Sequence, residues 1–507
     1  MVECIHSVSV TGLSGVPVSV EVDVATGLSA FTIVGLWDMA VQESRERVRS
    51  AIKNAGFTFP GSKRITVNLA PADVRKKWPS FDLPIALGIL SHEFLFKKEF
   101  FKESIFIWEL ALNGKIRSID GILPSVLFAR ENKIKYIFLP KDASIEAGIV
   151  PDVHIIPVES LQETISILVW EIPIPASSVT SFEQFSRKKE IWVDIESIIG
   201  QEHAKRSILI AASGGHNILL EWPPGSWKTM LAKWLASLLP PMSLDEIIEV
   251  SGIYSVAGLL SRTQPLIIDR PFRSIHHTAS EASIIGWGRD SRPGEISLAH
   301  KWVLFLDEFL EFDKNVLETL RQPLEDGVIT INRVHASCRY PAKFMLIWAL
   351  NPCPCWYLWD KEKSCTCSQS QIERYKSKLS WPMLDRIDIM IRVPRVKPED
   401  FEKYKNKASI HTRVYMQEKI LWARTIQLQR FINTNRTYNA EMSNAEIETY
   451  CILGDDGEKF LQDAINRLWL STRVYFRILR LARTIADLDA SEHILLPHIA
   501  EAISYRW

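Results

Sequence analysis

The chain is short of glycine, with 22 in 507 residues, where an ordinary globular chain carries roughly 7 %. Two of the missing glycines fall at a telling place. Residues 221–229 read Glu-Trp-Pro-Pro-Gly-Ser-Trp-Lys-Thr, the phosphate-binding pattern G-x-x-x-x-G-K-[ST] with Trp222 and Trp227 at its fixed glycines. Such a loop wraps backbone N–H groups around a β-phosphate, and a side chain at either glycine blocks that approach. Long apolar runs are also missing. None approaches the ~20 residues of a membrane span, and Met1-Val-Glu-Cys-Ile-His lacks the basic-then-apolar order of a signal peptide, so a cytoplasmic location without a membrane partner is expected. Net charge is absent too: 60 Lys and Arg balance 60 Asp and Glu. That excludes wholesale coating of nucleic acid and leaves DNA contact to local basic stripes.

Tryptophan is what the chain has in excess, 17 residues, and moving most of them into the glycine column restores an ordinary composition. We therefore read many of them as glycines, as in bacterial lineages that translate UGA as glycine. Random substitution would not concentrate at turn and phosphate-loop positions. The alternative is a Trp-rich, nucleotide-dead scaffold.

The rest of the motif is intact. Asn217-Ile-Leu-Leu220 reads as the strand before the loop and Met230–Leu239 as the helix after it. Within the loop, Trp222, Pro223, Pro224, Gly225, Ser226, Trp227, Lys228 and Thr229 form the candidate ATP cradle, Lys228 holding the β/γ-phosphates and Thr229 the Mg²⁺. Downstream, the apolar run Val303–Leu306 ends in Asp307 and Glu308, acids suited to a Mg²⁺ sphere and to orienting water.

Composition and length predict about three domains. Alternation over Val18–Val24 predicts a strand and the run 40–52 a helix, so residues 1–171 form an α+β unit. Prolines and a Ser/Thr-rich stretch mark a linker at 172–192. An α/β nucleotide core, a parallel sheet flanked by helices, is expected over 193–398. Helical periodicity, as in Phe476–Leu488, gives a small all-helical domain over 399–507.

Several further stretches carry a specific resemblance: Gly200–Arg206, Pro271–Ser280, Arg292–His300 and Leu320-Arg-Gln-Pro-Leu-Glu-Asp-Gly327, together with Phe31–Gly35, Glu43–Val48, Ser80–Pro84 and Arg483–Asp487. Together they resemble the ComM/YifB family of magnesium-chelatase-like AAA+ ATPases, over nearly the whole chain. That family has glycine where this chain has Trp78, Trp108, Trp222, Trp227, Trp287, Trp302, Trp356, Trp359, Trp381 and Trp469. The resemblance implies an AAA+ P-loop core, an N-terminal domain similar to the Lon protease domain, and a C-terminal lid. It also implies sensor 1 at Asn351, an arginine finger at Arg386 and sensor 2 at Arg473, with Arg477 and Arg480 as rivals within a turn or two. A finger acting on a neighbour implies a ring, and the family a homo-hexamer. The function implied is an ATP-driven motor on single-stranded or branched DNA, similar to branch-migration helicases of natural transformation, with a magnesium-chelatase-type ATPase subunit as the alternative.

Two Cys-x-Cys pairs, Cys353/Cys355 and Cys365/Cys367, offer four thiolates to one structural zinc, against metal-free reduced thiols. The stretches 327–335 and 338–343 read as a hairpin whose Arg333, His335, Arg339 and Lys343 are candidate DNA contacts, against a solvated charged hairpin. His276 and His277 suit a partner contact better than a metal. Where Lon has its serine turn, this chain has Trp78-Pro-Ser80, but Leu123 falls at the position of the lysine base, so no protease activity is expected.

Overall fold

Alternating burial builds the first unit. Strands β1 (Glu3–Thr11), β2 (Ser14–Ala25), β3 (Ala30–Val34) and β4 (Arg64–Ala70) form a sheet in the order β1-β2-β4-β3, antiparallel except for β3 on β4. Val18, Val20 and Val22 point into the core, as the period-two pattern requires. This computed structural model describes residues 2–34, 39–71, 81–176, 180, 201–221, 228–261, 263–287, 291–333, 336–358, 363–393, 413–434 and 436–506. Trp222–Trp227, Trp78, Ser80, His335, Trp359 and the linker residues 181–192 lie outside them. Against the sheet packs the wholly buried helix Asp82–Leu90. A second, parallel sheet follows, from β5 (Ser104–Phe106), β6 (Tyr136–Pro140) and β7 (His154–Val158). Leu123 is buried in this unit's core.

Two matched motifs meet here. Asp82, fully buried, accepts hydrogen bonds from the Ser44 hydroxyl and from Arg47 Nε at 2.8 Å. The Glu43–Val48 and Ser80–Pro84 stretches thus carry one interior ion pair, which fixes helix Met39–Asn54 against helix Asp82–Leu90. Removing one partner of such a pair strands a buried charge.

The central sheet is five-stranded and wholly parallel. Its strands are β8 (Ile218–Glu221), β9 (Phe272–Ile275), β10 (Val303–Leu306), β13 (Met345–Leu350) and β14 (Ile389–Arg392), in the order β9-β10-β13-β8-β14. Every residue of β8, β10 and β13 is buried, as continuous apolar runs in a sheet covered on both faces should be. Helices Glu202–Gly214 and Lys228–Leu238 flank it. Between β10 and β13 runs the expected hairpin, β11 (Val328–Arg333) against β12 (Ala336–Pro341).

Helices Arg413–Arg430, Asn444–Tyr450, Asp455–Leu468, Thr472–Leu488 and Leu496–Ser504 make the C-terminal unit. They share one hydrophobic core with helix Glu202–Gly214 and β8, so the sequence boundary near 399 does not separate two cores. Asp487 anchors this unit from inside, accepting from Arg430 at 2.6 Å, Asn439 at 2.7 Å and Arg483 at 3.0 Å. Gly215 closes helix Glu202–Gly214 at φ +72°, where a Cβ would stand 2.9 Å from the Tyr438 ring. Only glycine suits both demands.

The first boundary is also crossed. Helix Leu244–Ala257, central in sequence and buried along Val250–Val256, packs into the core of the N-terminal unit. Its Ser255 meets that unit's Glu146, and the carboxyl is pushed up by burial to about 7 against the hydrogen bond from Ser255. A raised carboxyl favours the fold below its unfolded value of 4.5, and that contribution is lost as pH rises through about 7. Thermal denaturation followed from pH 4.5 to 8 should therefore show a stability loss of about 3 kcal/mol across that window, at ~1.4 kcal/mol per pKa unit, and Glu146→Gln should flatten it.

Tryptophan occupies glycine conformations. Trp170, Trp356 and Trp469 have φ of 66°, 75° and 52°. Trp469 is the left-handed C-cap of helix Asp455–Leu468, with 93 % of its surface exposed. Nothing in its packing offsets the ~1–2 kcal/mol that a left-handed residue with a Cβ costs. Trp469→Gly should raise the unfolding free energy by about 1 kcal/mol, read by denaturant titration.

Candidate functional site

Parallel strands deliver their carboxyl ends to one edge, the place where α/β sheets carry ligand groups. Lys228 opens the helix after β8, Asp307 and Glu308 follow β10, and Asn351 follows β13. Lys228 Nζ donates to Asn351 Oδ1 at 2.5 Å. The lysine is buried, which pushes its pKa down, while Asp307 and Glu308 pull it up. A desolvated ammonium facing two carboxylates, with an amide oxygen as its partner, suits an incoming polyanion and a divalent cation. Thr229, on the same helix, is exposed. The rest of the sequence-expected cradle, Trp222 to Trp227, lies outside the described residues.

Glu308 stands in the left-handed region, φ 50° and ψ 46°, with its N–H donating to Asp307 Oδ1 at 2.9 Å. Non-glycine residues hold that conformation at a cost and mostly where a side chain must be aimed. His277 Nδ1 lies 3.1 Å from Glu308 Oε2, and the His276 ring packs on His277 at 4.1 Å between centroids. The sequence left this His pair without a place. Its signal was present only in three dimensions, because β9, which leads into it, pairs with β10, which leads into Glu308.

Arg386 and Arg473 are not in this site. Both lie at the opposite edge of the sheet, where the strands begin. Arg386 precedes β14 and donates to Glu325 Oε2 at 2.5 Å and to the Pro382 carbonyl at 2.6 Å. Arg473 donates to the other oxygen of the same carboxylate at 3.1 Å. These two cations hold the Glu325 carboxyl below its ordinary range, Arg386 the more strongly. They border a cavity of about 760 Å³ between the sheet's amino edge and the helical unit. Arg477, a rival for the sensor role, is committed to buried Asp388 at 2.5 Å, whereas Arg473 is 61 % exposed. Even four-residue strands are about 13 Å long, so neither Arg386 nor Arg473 reaches its own chain's Lys228 edge.

The other motif stretches pair as well. Arg273 grips Glu295 through two 2.5 Å hydrogen bonds, joining 271–280 to 292–300. The candidate DNA residues divide. Arg333 pairs by backbone with Ala336 at the hairpin tip, Arg339 is exposed on β12, and Lys343 lies beyond the hairpin base among the cavity-lining residues. The hairpin face opposite Arg339, with Ile329, Ile331, Cys338 and Tyr340, is buried against partners that include Val10 and Leu13 of the N-terminal unit. Cys353, Cys355, Cys365 and Cys367 bring their sulfurs to within 4.8 Å of one another just past Asn351.

A parallel sheet with a lysine, an acidic pair and an asparagine at its carboxyl edge is the arrangement of an α/β ATPase of the AAA+ class. Family descriptions agree along the chain: "Magnesium chelatase, subunit ChlI" matches residues 194–401, "Subunit ChlI of Mg-chelatase" 20–143, and "Magnesium chelatase, subunit ChlI C-terminal" 411–506. The chain is 41 % identical to competence protein ComM of Haemophilus influenzae, covering 99 % of this chain and 97 % of that one. It is 38 % identical to the uncharacterized protein YifB of Escherichia coli, over 99 % and 96 %. Similarity to the magnesium-chelatase 38 kDa subunit of Rhodobacter capsulatus is 27 % and covers only 31 % of this chain. The chain belongs to the ComM/YifB family of magnesium-chelatase-like AAA+ ATPases. Such ATPases work with ATP and Mg²⁺. Among the described residues no helix is long and apolar enough to cross a membrane.

Proposed function

We propose that the protein is an ATP-driven motor that acts on DNA as a homo-hexameric ring, with glycine at Trp222 and Trp227 in the cellular product. The observation that carries this reading is the split of the candidate residues between two edges of one sheet. Lys228, Asp307, Glu308 and Asn351 stand at one edge, and Arg386 and Arg473 at the other. In a ring, the second edge of one subunit faces the first edge of the next.

Bound Mg-ATP supplies the phosphoryl group that is transferred to water. Lys228 would hold phosphate oxygens, and Thr229 and Asp307 would take the cation. Glu308 orients and polarises the attacking water, and Asn351 fixes Lys228 and the water's position. His277 holds the Glu308 carboxylate when no substrate is present. Arg386, from the neighbour, stabilises charge on the transferring group through its planar guanidinium, and Arg473 couples the helical lid to that event.

DNA as substrate is supported by the relative named for competence, which matches end to end, whereas the chelatase subunit matches under a third of the chain. Exposed Arg339 and the tip residue Arg333 are the contacts we assign to DNA phosphates, multiplied by the ring's copies. The N-terminal unit, similar to a Lon domain without its lysine base, serves as scaffold. Recoding is supported by the left-handed tryptophans and by buried Trp234, Trp302 and Trp348, whose indole N–H groups find no partner among the described residues. Buried indoles ordinarily satisfy that donor.

The test is mass photometry and ATPase assay of the chain bearing glycine at 222 and 227, with and without branched DNA. ATP-dependent hexamers whose hydrolysis rises with DNA and falls with salt support the reading. A monomer indifferent to DNA would overturn it.

A further inference from the structure

The sulfurs after Asn351 have metal-site spacing. Cys353 Sγ lies 3.4 Å from Cys355 Sγ and 3.7 Å from Cys365 Sγ, and Cys355 Sγ lies 3.4 Å from Cys365 Sγ. Four thiolates at Zn–S distances of ≈ 2.3 Å around a tetrahedral ion would stand roughly 3.8 Å apart. A disulfide needs about 2.05 Å, and all seven cysteines are free. Four sulfurs so close, left without an ion, repel when ionised and waste their donors when protonated.

The backbone is shaped to the same end. The Cys355 N–H donates to Cys367 Sγ at 3.3 Å, an N–H···S contact that favours the thiolate. Directly after Cys355, the chain turns through Trp356 at φ 75°, whose N–H returns to the Cys353 carbonyl at 3.0 Å. Cys353 is fully buried, while its three companions are half-buried. Cys367 runs straight into Ser368, which caps helix Gln369–Lys376 by a reciprocal capping box. The cluster therefore ties the chain just past β13 to the start of that helix.

We propose that Cys353, Cys355, Cys365 and Cys367 hold one tetrahedral Zn²⁺, and that this ion fixes Asn351, two residues before Cys353, where it grips Lys228. Soft thiolates in a closed four-sulfur set select zinc over the hard cations that serve phosphate. Without the ion, the connection from β13 to helix Gln369–Lys376 would lose this cross-link, and the Asn351–Lys228 contact would lose its support. The zinc site stands on the sulfurs alone; only its coupling to Lys228 rests on the proposed ATPase role.

The experiment uses the full chain with glycine at 222 and 227. Its metal content is measured by inductively coupled plasma mass spectrometry, and exchange with Co²⁺ is followed by absorption. One zinc per chain is expected, together with strong thiolate-to-cobalt charge transfer and tetrahedral d–d bands. Cys353→Ser and the milder, half-exposed Cys367→Ser should lose both, while Cys338→Ser and Cys451→Ser keep them. Iron in place of zinc, or metal that survives both cluster variants, overturns the site. Binding of a fluorescent ATP analogue is then compared before and after zinc is stripped by a chelator, with circular dichroism as the folding control. Affinity should fall about 10-fold, the usual scale for losing the support of a site residue. Unchanged affinity overturns the coupling and leaves the zinc site standing. Failure of the untreated protein to bind the analogue overturns the ATPase reading instead, and the metal count still reads the site.

Discussion

Lys228→Ala, made in the chain carrying glycine at 222 and 227, should lower kcat/KM for ATP by on the order of 10²–10³-fold, the loss typical when one preorganised donor is removed from a developing charge. Its secondary structure and melting temperature should stay close to the parent's or rise. Lys228 is a buried cation whose ammonium is disfavoured by desolvation, and among the described residues it answers to Asn351, Asp307 and Glu308. Such a group costs stability so that it can serve a ligand. Steady-state ATPase kinetics beside a thermal melt check both halves. Unchanged hydrolysis would remove Lys228 from the phosphate site, and a collapse of the fold would make it a structural residue.

Arg386→Ala should lower kcat by about 10³-fold or more while ATP binding is kept, because a finger acts on transition-state charge and not on the ground state. The sharper form of this experiment mixes subunits. Lys228→Ala chains keep a competent Arg386, and Arg386→Ala chains keep a competent Lys228. Each is dead alone, but a mixed ring contains interfaces at which both residues are intact. Recovery of part of the parent activity on mixing shows action between chains. No recovery, with hexamers intact, places Arg386 in a structural role at Glu325. Arg386→Lys should not rescue, since a point charge does not reproduce the planar fork that would meet phosphoryl oxygens across the interface.

What was legible in the sequence is what depends on neighbours along the chain. The strand before Asp307, the helix after the phosphate loop and the hairpin all follow from local periodicity, and they appear within a residue or two of expectation. The four cysteines were legible as two Cys-x-Cys pairs, and it is the fold that brings the pairs together. Glu325 was not, since its partners lie 61 and 148 residues away and only the sheet's strand order brings them to one carboxylate. Arg47, Asp82, Arg483 and Asp487 stood within stretches that carry the family resemblance, and each is spent on an interior ion pair. Helix Leu244–Ala257 was hidden for a different reason. Its apolar second half, Val250–Ala257, does not say which of two cores will take it.

The central claim is that this chain is a working P-loop ATPase, and it stands on two residues. The direct measurement is mass spectrometry of the native protein's tryptic peptide that ends at Lys228. The account predicts a mass with glycine at both 222 and 227, lighter by two indole side chains than the written sequence. Tryptophan at both positions would contradict it, leaving Lys228, Asn351 and the acidic pair around a phosphate site filled by its own loop.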